Sequence, residues 1–338
     1  MFIEKIFAES DVSLPENTLE ALYEVLDPKG STTSLDSFLT PEGRATLRAK
    51  PGTKGSAPKV SSILDKPEIE VTELQGEESY KRPNGEDYFA RKWGDFTDVE
   101  VLRQCRELGQ PVLLYGVPGT GKTAMVEASF PDELYTILGS GDTEVADLVG
   151  GYVQTPSGGF EWVDGSLTRA ASEGKVLLID EIGLIDPKVL SVVYGLMDGR
   201  KELVVTANPE RGTVKAEEGF YVVGATNPNA PGVRLSEALL SRFSVQAEMT
   251  TDWALAKKLG VPNSAVVASQ NLSKKQESGE VSWSPQMREL LAFRDLTKKF
   301  GSKFAIQNLL ASAPELDRPV ASDVFGRVFG EQMLPAKI

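Results

Sequence analysis

Short apolar runs separated by amphipathic stretches dominate the middle of the chain. Residues 111–115, 134–138, 175–179, 220–224 and, more weakly, 244–248 are apolar at nearly every position, the pattern of strands buried on both faces. Between them, residues 98–108, 123–128, 166–173 and 187–197 space their apolar positions as helices do. Strands alternating with helices from about 80 to 250 predict a parallel sheet covered on both sides. From 252 to 338 the helical period continues without convincing strands, which predicts a small helical domain.

The first 75 residues carry a different pattern. Leu19, Leu22, Tyr23 and Leu26 fall at helical spacing, a second short helix is expected after Pro41, and residues 50–58 are rich in Pro, Gly, Ser and Lys, as in a flexible linker. The expected organisation is therefore a short N-terminal extension over 1–75, an α/β domain over 76–250 and a helical domain over 251–338.

One segment gives the α/β region its chemistry. Gly116-Val117-Pro118-Gly119-Thr120-Gly121-Lys122-Thr123 fits G-x-x-x-x-G-K-[ST] at each position, directly after one apolar run and before a helical stretch opened by Ala124. In that context the glycines let backbone N–H groups curl around phosphates, and the helix N-terminus adds its positive end. Lys122 then reaches the outer phosphates and Thr123 ligates Mg²⁺. Residues 116–124 are thus the expected nucleotide-binding set, with ATP and Mg²⁺ as its ligands.

A second apolar run delivers Asp180-Glu181 at its C-terminal end, where α/β sheets place ligand chemistry. Asp180 is expected to hold the metal and Glu181 to polarise a water for attack on the γ-phosphate. A third run ends in Thr226-Asn227. Asn227 either orients that water or, being followed by Pro228, simply turns the chain. Arg242 ends the following helical stretch. It reads as an arginine finger for a neighbouring subunit or as a surface arginine favoured by the helix dipole.

Composition narrows the classes. The 338 residues contain no histidine and one cysteine, which excludes His-based acid–base chemistry and any internal disulfide. Cys105 lies in a helical pattern and reads as a small core residue. A net charge of −13 argues against general nucleic-acid or anionic-membrane binding. The lysine pairs Lys257-Lys258, Lys274-Lys275 and Lys298-Lys299 are the feature that a nucleic-acid reading would use. No apolar stretch approaches a membrane span, and Met1-Phe2-Ile3-Glu4-Lys5 does not open a signal peptide, so a cytoplasmic location is expected.

Taken together, the phosphate loop, Asp147-Leu148-Val149-Gly150-Gly151, the run 160–170, the acid pair, Leu196-Met197-Asp198-Gly199-Arg200, Asn227 and the segment 239–243 resemble an AAA+ ATPase of the MoxR type. Within that group the chain is similar to the CbbQ, NorQ and GvpN branch. The resemblance implies a P-loop NTPase fold with a helical lid, ATP hydrolysis in a hexameric homo-oligomeric ring, and remodelling of a protein client. A von Willebrand factor A-domain partner is among the candidates. It also implies that Asn227 is the first sensor, that Arg242 acts in the next subunit, and that a second sensor arginine starts a lid helix. Ser284-Pro285 offers an N-cap and first helical residue there, and Arg288 matches by its downstream Glu289-Leu290-Leu291, although an ordinary exposed helix residue fits the same pattern. Two expected hairpins, 151–162 and 201–214, resemble loops that face the ring's pore, with Tyr152, Phe160 and Trp162 as candidate client contacts or, for Trp162 above all, packing within its own domain. By position, residues 82–88 resemble the wall of the adenine pocket. The alternatives are an ATP-dependent assembly module with little turnover and a motor acting on nucleic acid.

Overall fold

The computed structural model describes residues 78–336; the expected helices and linker before residue 75 lie outside them. Five strands form a parallel sheet: β1 (Val112–Tyr115), β2 (Leu134–Leu138), β3 (Val176–Asp180), β4 (Tyr221–Thr226) and β5 (Val245–Glu248), in the order β5-β1-β4-β3-β2. The five apolar runs of the sequence are these strands, shifted by a residue or two at some ends.

Successive side chains of a strand point to opposite faces, so an all-apolar strand must bury two layers. Val112 and Leu114 of β1, Val176 and Leu178 of β3, and Tyr221, Val223 and Ala225 of β4 pack into one core. Leu113, Leu177, Ile179 and Val222, their alternates, pack into another on the opposite face. The helices covering the sheet start and stop at local signals. Thr97 and Glu100 form a reciprocal capping box at the start of Asp98–Glu107. Asp186 caps Pro187–Met197 with proline in its first turn. Gly174 ends Ser166–Glu173 in the left-handed conformation. Cys105 is buried in the first of these helices, as expected of a core residue.

Two antiparallel hairpins interrupt the α/β order, Gly150–Gln154 with Phe160–Asp164 and Glu202–Val204 with Thr213–Lys215. Before the first long helix, residues 79–97 form two small antiparallel pairs that carry no visible period in the sequence. The chain then ends in five helices, Trp253–Lys258, Asn263–Glu277, Met287–Phe300, Ser302–Ser312 and Arg318–Phe329, which enclose a third core of their own. The three lysine pairs occupy the last turns of the first three of these helices, where the negative end of the dipole favours them without any anionic ligand. Among the described residues, no helix is long and apolar enough to cross a membrane.

Candidate functional site

The loop after β1 is held in shape before any ligand is considered. Gly116 has φ +146°, and a Cβ there would stand 2.3 Å from the Met249 carbonyl oxygen at the end of β5. Its N–H donates to the Thr226 carbonyl at the end of β4, 3.2 Å away. Three neighbouring strand ends therefore meet at one glycine that no larger residue can replace. Thr120, fully buried, donates its hydroxyl to the Val117 carbonyl at 3.1 Å. Gly121, at φ +95°, starts helix Lys122–Ser129 without a side-chain cap, which leaves its first amides for another acceptor.

The Lys122 ammonium is buried and folds back to donate to the carbonyls of Gly116 (2.8 Å) and Val117 (3.1 Å). Burial pulls its pKa below the ordinary lysine value, while the carboxylates of Glu181 and Asp180 oppose that shift and Arg288 adds to it. Thr123 donates its hydroxyl to Asp180 at 2.8 Å, so the two expected metal ligands are in direct contact. The other Asp180 oxygen accepts the Glu181 N–H at 3.0 Å. Glu181 itself adopts the left-handed conformation (φ 49°, ψ 39°), unusual for a residue with a Cβ. Its Oε2 is buried and has no hydrogen-bond partner among the described residues.

These groups line one side of a cavity of about 750 Å³. Tyr88, Phe89, Leu255, Leu259, Met287 and Leu291 supply an apolar side, so residues 82–88, read as part of the base pocket, do reach the cavity. They do so as a hairpin, Ser79–Lys81 against Asp87–Phe89. Oriented amides, a buried ammonium and a hydroxyl–carboxylate pair at one end, with apolar walls at the other, fit a nucleoside triphosphate with its Mg²⁺.

Arg288 also lines the cavity, and its backbone N–H donates to the Gly119 carbonyl at 3.1 Å. The helix that carries it begins at Met287 rather than at Pro285. Gln286 is the N-cap, because its side chain and that of Glu289 satisfy each other's backbone amides in a capping box. Ser284 instead donates to Gln276 and accepts from the Gln286 amide.

Asn227 and Arg242 do not line the cavity. Asn227 follows Thr226, whose register partner on β1 is Tyr115, so it stands level with the loop. Its Oδ1 accepts the Asn229 N–H at 3.2 Å, the turn geometry that Asn-Pro favours. Arg242 lies with its guanidinium carbon 4.0 Å from the centroid of the Tyr194 ring.

Arg91 is a site residue that sequence reasoning missed. It lines the cavity and donates to the carbonyls of Thr120 in the loop (2.6 Å) and Thr250 (3.1 Å), just before the terminal helices. The buried carboxylate of Asp98 accepts its backbone N–H together with the Tyr88 hydroxyl, and this fixes the segment that presents it. The partners stand 29 and 159 residues away, so no local pattern marks it.

On the first hairpin, Tyr152 and Phe160 are exposed, at 56% and 70%, and Trp162 is half-buried. Trp162 stacks edge-on to Tyr152 and donates its indole N–H to Asp164 at 2.6 Å, so its polar end is used within the domain. Asp164 also accepts from Arg211 of the second hairpin, whose far end donates to Ser172. One ion pair thereby joins the two hairpins.

Comparison with known proteins agrees with this geometry. A family model described as "AAA domain (dynein-related subfamily)" matches residues 111–243. YojN of Bacillus subtilis (strain 168) is 31% identical over 234 residues, 64% of this chain and 76% of YojN. The denitrification regulatory protein NirQ of Stutzerimonas stutzeri is 35% identical over 136 residues, and protein NorQ of Paracoccus denitrificans (strain Pd 1222) is 37% identical over 134. Each of these two matches covers 39% of this chain and 48% of the relative, so the chain spans about half the length of NirQ and NorQ. The chain belongs to the dynein-related AAA family, as an AAA ATPase of the MoxR and NorQ type.

Proposed function

We propose that this chain hydrolyses ATP within a ring of its own copies and uses the cycle to remodel a protein partner. The observation that carries hydrolysis is Glu181. A carboxylate held in a strained backbone conformation lines the cavity beside the Thr123–Asp180 pair with a buried, unpartnered oxygen. Such an oxygen is available to accept a proton from a water, and no hydrogen-bond donor among the described residues makes use of it.

In this reading the loop amides and Lys122 hold the phosphates, and Thr123 and Asp180 hold Mg²⁺. Bound there, the metal would supply positive charge against the phosphates. Arg288, which lines the cavity and whose charge acts on Lys122, is the second sensor, and Asn227 is the first. Arg242 lies outside its own cavity and serves a neighbour's, which makes assembly a condition of turnover. The hexameric ring and the von Willebrand factor A-domain client rest on the family. The exposed Tyr152 and Phe160 are the contacts that a client would meet.

Glu181→Gln tests the hydrolytic role. The amide keeps the size of the side chain but cannot act as the base, so phosphate release should fall by ~10²-fold or more. Binding of a fluorescent ATP analogue should persist. Turnover near wild type would move the catalytic role elsewhere. Negligible turnover by the wild-type assembly would favour an ATP-gated assembly module instead.

A further inference from the structure

We infer that Tyr194 is the positioning residue of the trans-acting arginine: its ring holds the Arg242 guanidinium in place without consuming an N–H donor, so that those not bonded to Ala238 stay available to a phosphoryl oxygen of the adjacent copy. The inference rests on the reading of Arg242 as a finger and names the group that makes a finger of it.

The two residues come from different elements. Tyr194 lies in helix Pro187–Met197, directly after the strand that ends in the acid pair, and packs against the sheet's core. Arg242 follows the one-turn helix Glu237–Leu240. Its guanidinium carbon sits 4.0 Å from the Tyr194 ring centroid. One donor, Nη1, bonds back to the Ala238 carbonyl at 2.6 Å. The Nε–H is buried and has no partner among the described residues.

The kind of partner matters as much as the distance. A carboxylate would fix an arginine by consuming its in-plane donors and cancelling its charge. A ring face attracts the cation through its quadrupole and uses neither. Asp198, just past the end of the same helix, takes its hydrogen bonds from Arg200, which donates to it from Nε, Nη2 and the backbone N–H. The Arg242 charge acts on that carboxylate only as the smallest of several influences, without a hydrogen bond. No carboxylate forms an ion pair with Arg242 among the described residues. Arg242 is thus held in place while still charged and still able to donate, which is the state that stabilisation of a transferring phosphoryl group requires.

The test uses the full chain and three variants, Arg242→Ala, Tyr194→Leu and Tyr194→Phe, each assayed alone and mixed with Lys122→Ala protein. Tyr194→Leu should lower kcat by about 3- to 30-fold, the range expected for a lost cation–π contact, with KM for ATP unchanged. Tyr194→Phe, which keeps the ring, should retain turnover. The Tyr194→Leu defect should also be relieved by mixing, because Lys122→Ala subunits supply an intact Tyr194–Arg242 pair to their neighbours. Arg242→Ala alone should be nearly inactive. Wild-type kcat in Tyr194→Leu, a raised kcat, or a loss that neither Phe nor mixing relieves would overturn the inference while leaving the shared site standing. Wild-type turnover in Arg242→Ala would overturn the shared site itself.

Discussion

At ordinary positions alanine is more stable than glycine, and at Glu181 that order should reverse. The residue sits at φ 49° and ψ 39° at the end of the acid-bearing strand. Holding an L-residue there costs roughly 1–2 kcal/mol, while the extra freedom of glycine in the unfolded chain costs roughly 0.5–1 kcal/mol. Glu181→Gly and Glu181→Ala both remove the carboxylate and its attraction to Lys122, so those effects cancel between them. At the middle of these ranges the difference that remains favours the glycine variant by about 0.8 kcal/mol. For a chain of this size that corresponds to roughly 1 °C in Tm. Thermal unfolding followed by circular dichroism without nucleotide measures it, and phosphate release should be lost in both variants. An alanine variant as stable as the glycine variant, or more so, would refute the claim that the backbone at this residue is strained.

Two further outcomes follow from contacts that the sequence did not reveal. Arg91→Ala removes both charge-assisted bonds that tie the phosphate loop to Thr250, and should weaken ATP affinity by about tenfold, at the low end for hydrogen bonds to charged groups; an unchanged Kd in a fluorescent nucleotide titration would count against that tie. At Asp164, burial raises the carboxyl pKa, but hydrogen bonds from Arg211 and Trp162 outweigh it and leave the group below the ordinary aspartate value of 3.8. Its stabilisation is complete above that unfolded value and is lost as pH falls through the lower folded one. The stability of wild type relative to Asp164→Asn should therefore hold at neutral pH and shrink below pH 3.8, and a pH-independent difference in denaturation midpoints would show that the ion pair carries none of it.

What the sequence disclosed and what it withheld divide along a physical line. Strands β1, β3 and β4 were legible because burial on both faces leaves no polar position to blur the run. The phosphate loop was legible because its glycines answer a local backbone demand, as Gly116 and Gly121 show through positive φ. The strands between 79 and 97 were not, since two or three residues cannot display a period. Nor was the start of the lid helix. Ser284 and Gln286 both suit a cap, and the choice between them depends on Glu289 reaching the Gln286 amide at 3.0 Å. Arg91 and the Tyr194–Arg242 stack depend on partners far along the chain, and the turn at Asn227 was foreseen only as one of two readings.

The bond between Arg288 and Gly119 gives the loop a second face. A Cβ at residue 119 would stand 3.1 Å from Glu289 Oε2, 3.3 Å from Gln286 Cβ and 3.4 Å from Arg288 Cβ, so the lid helix rests its first turn directly on the loop. The same short backbone is therefore open to address from two directions, its amides on one side and, on the other, its carbonyl, already met by a helix end. Any displacement of that helix must either break the contact or drag the loop with it. A nucleotide that shifted this loop would therefore load the first turn of the lid helix through one peptide unit.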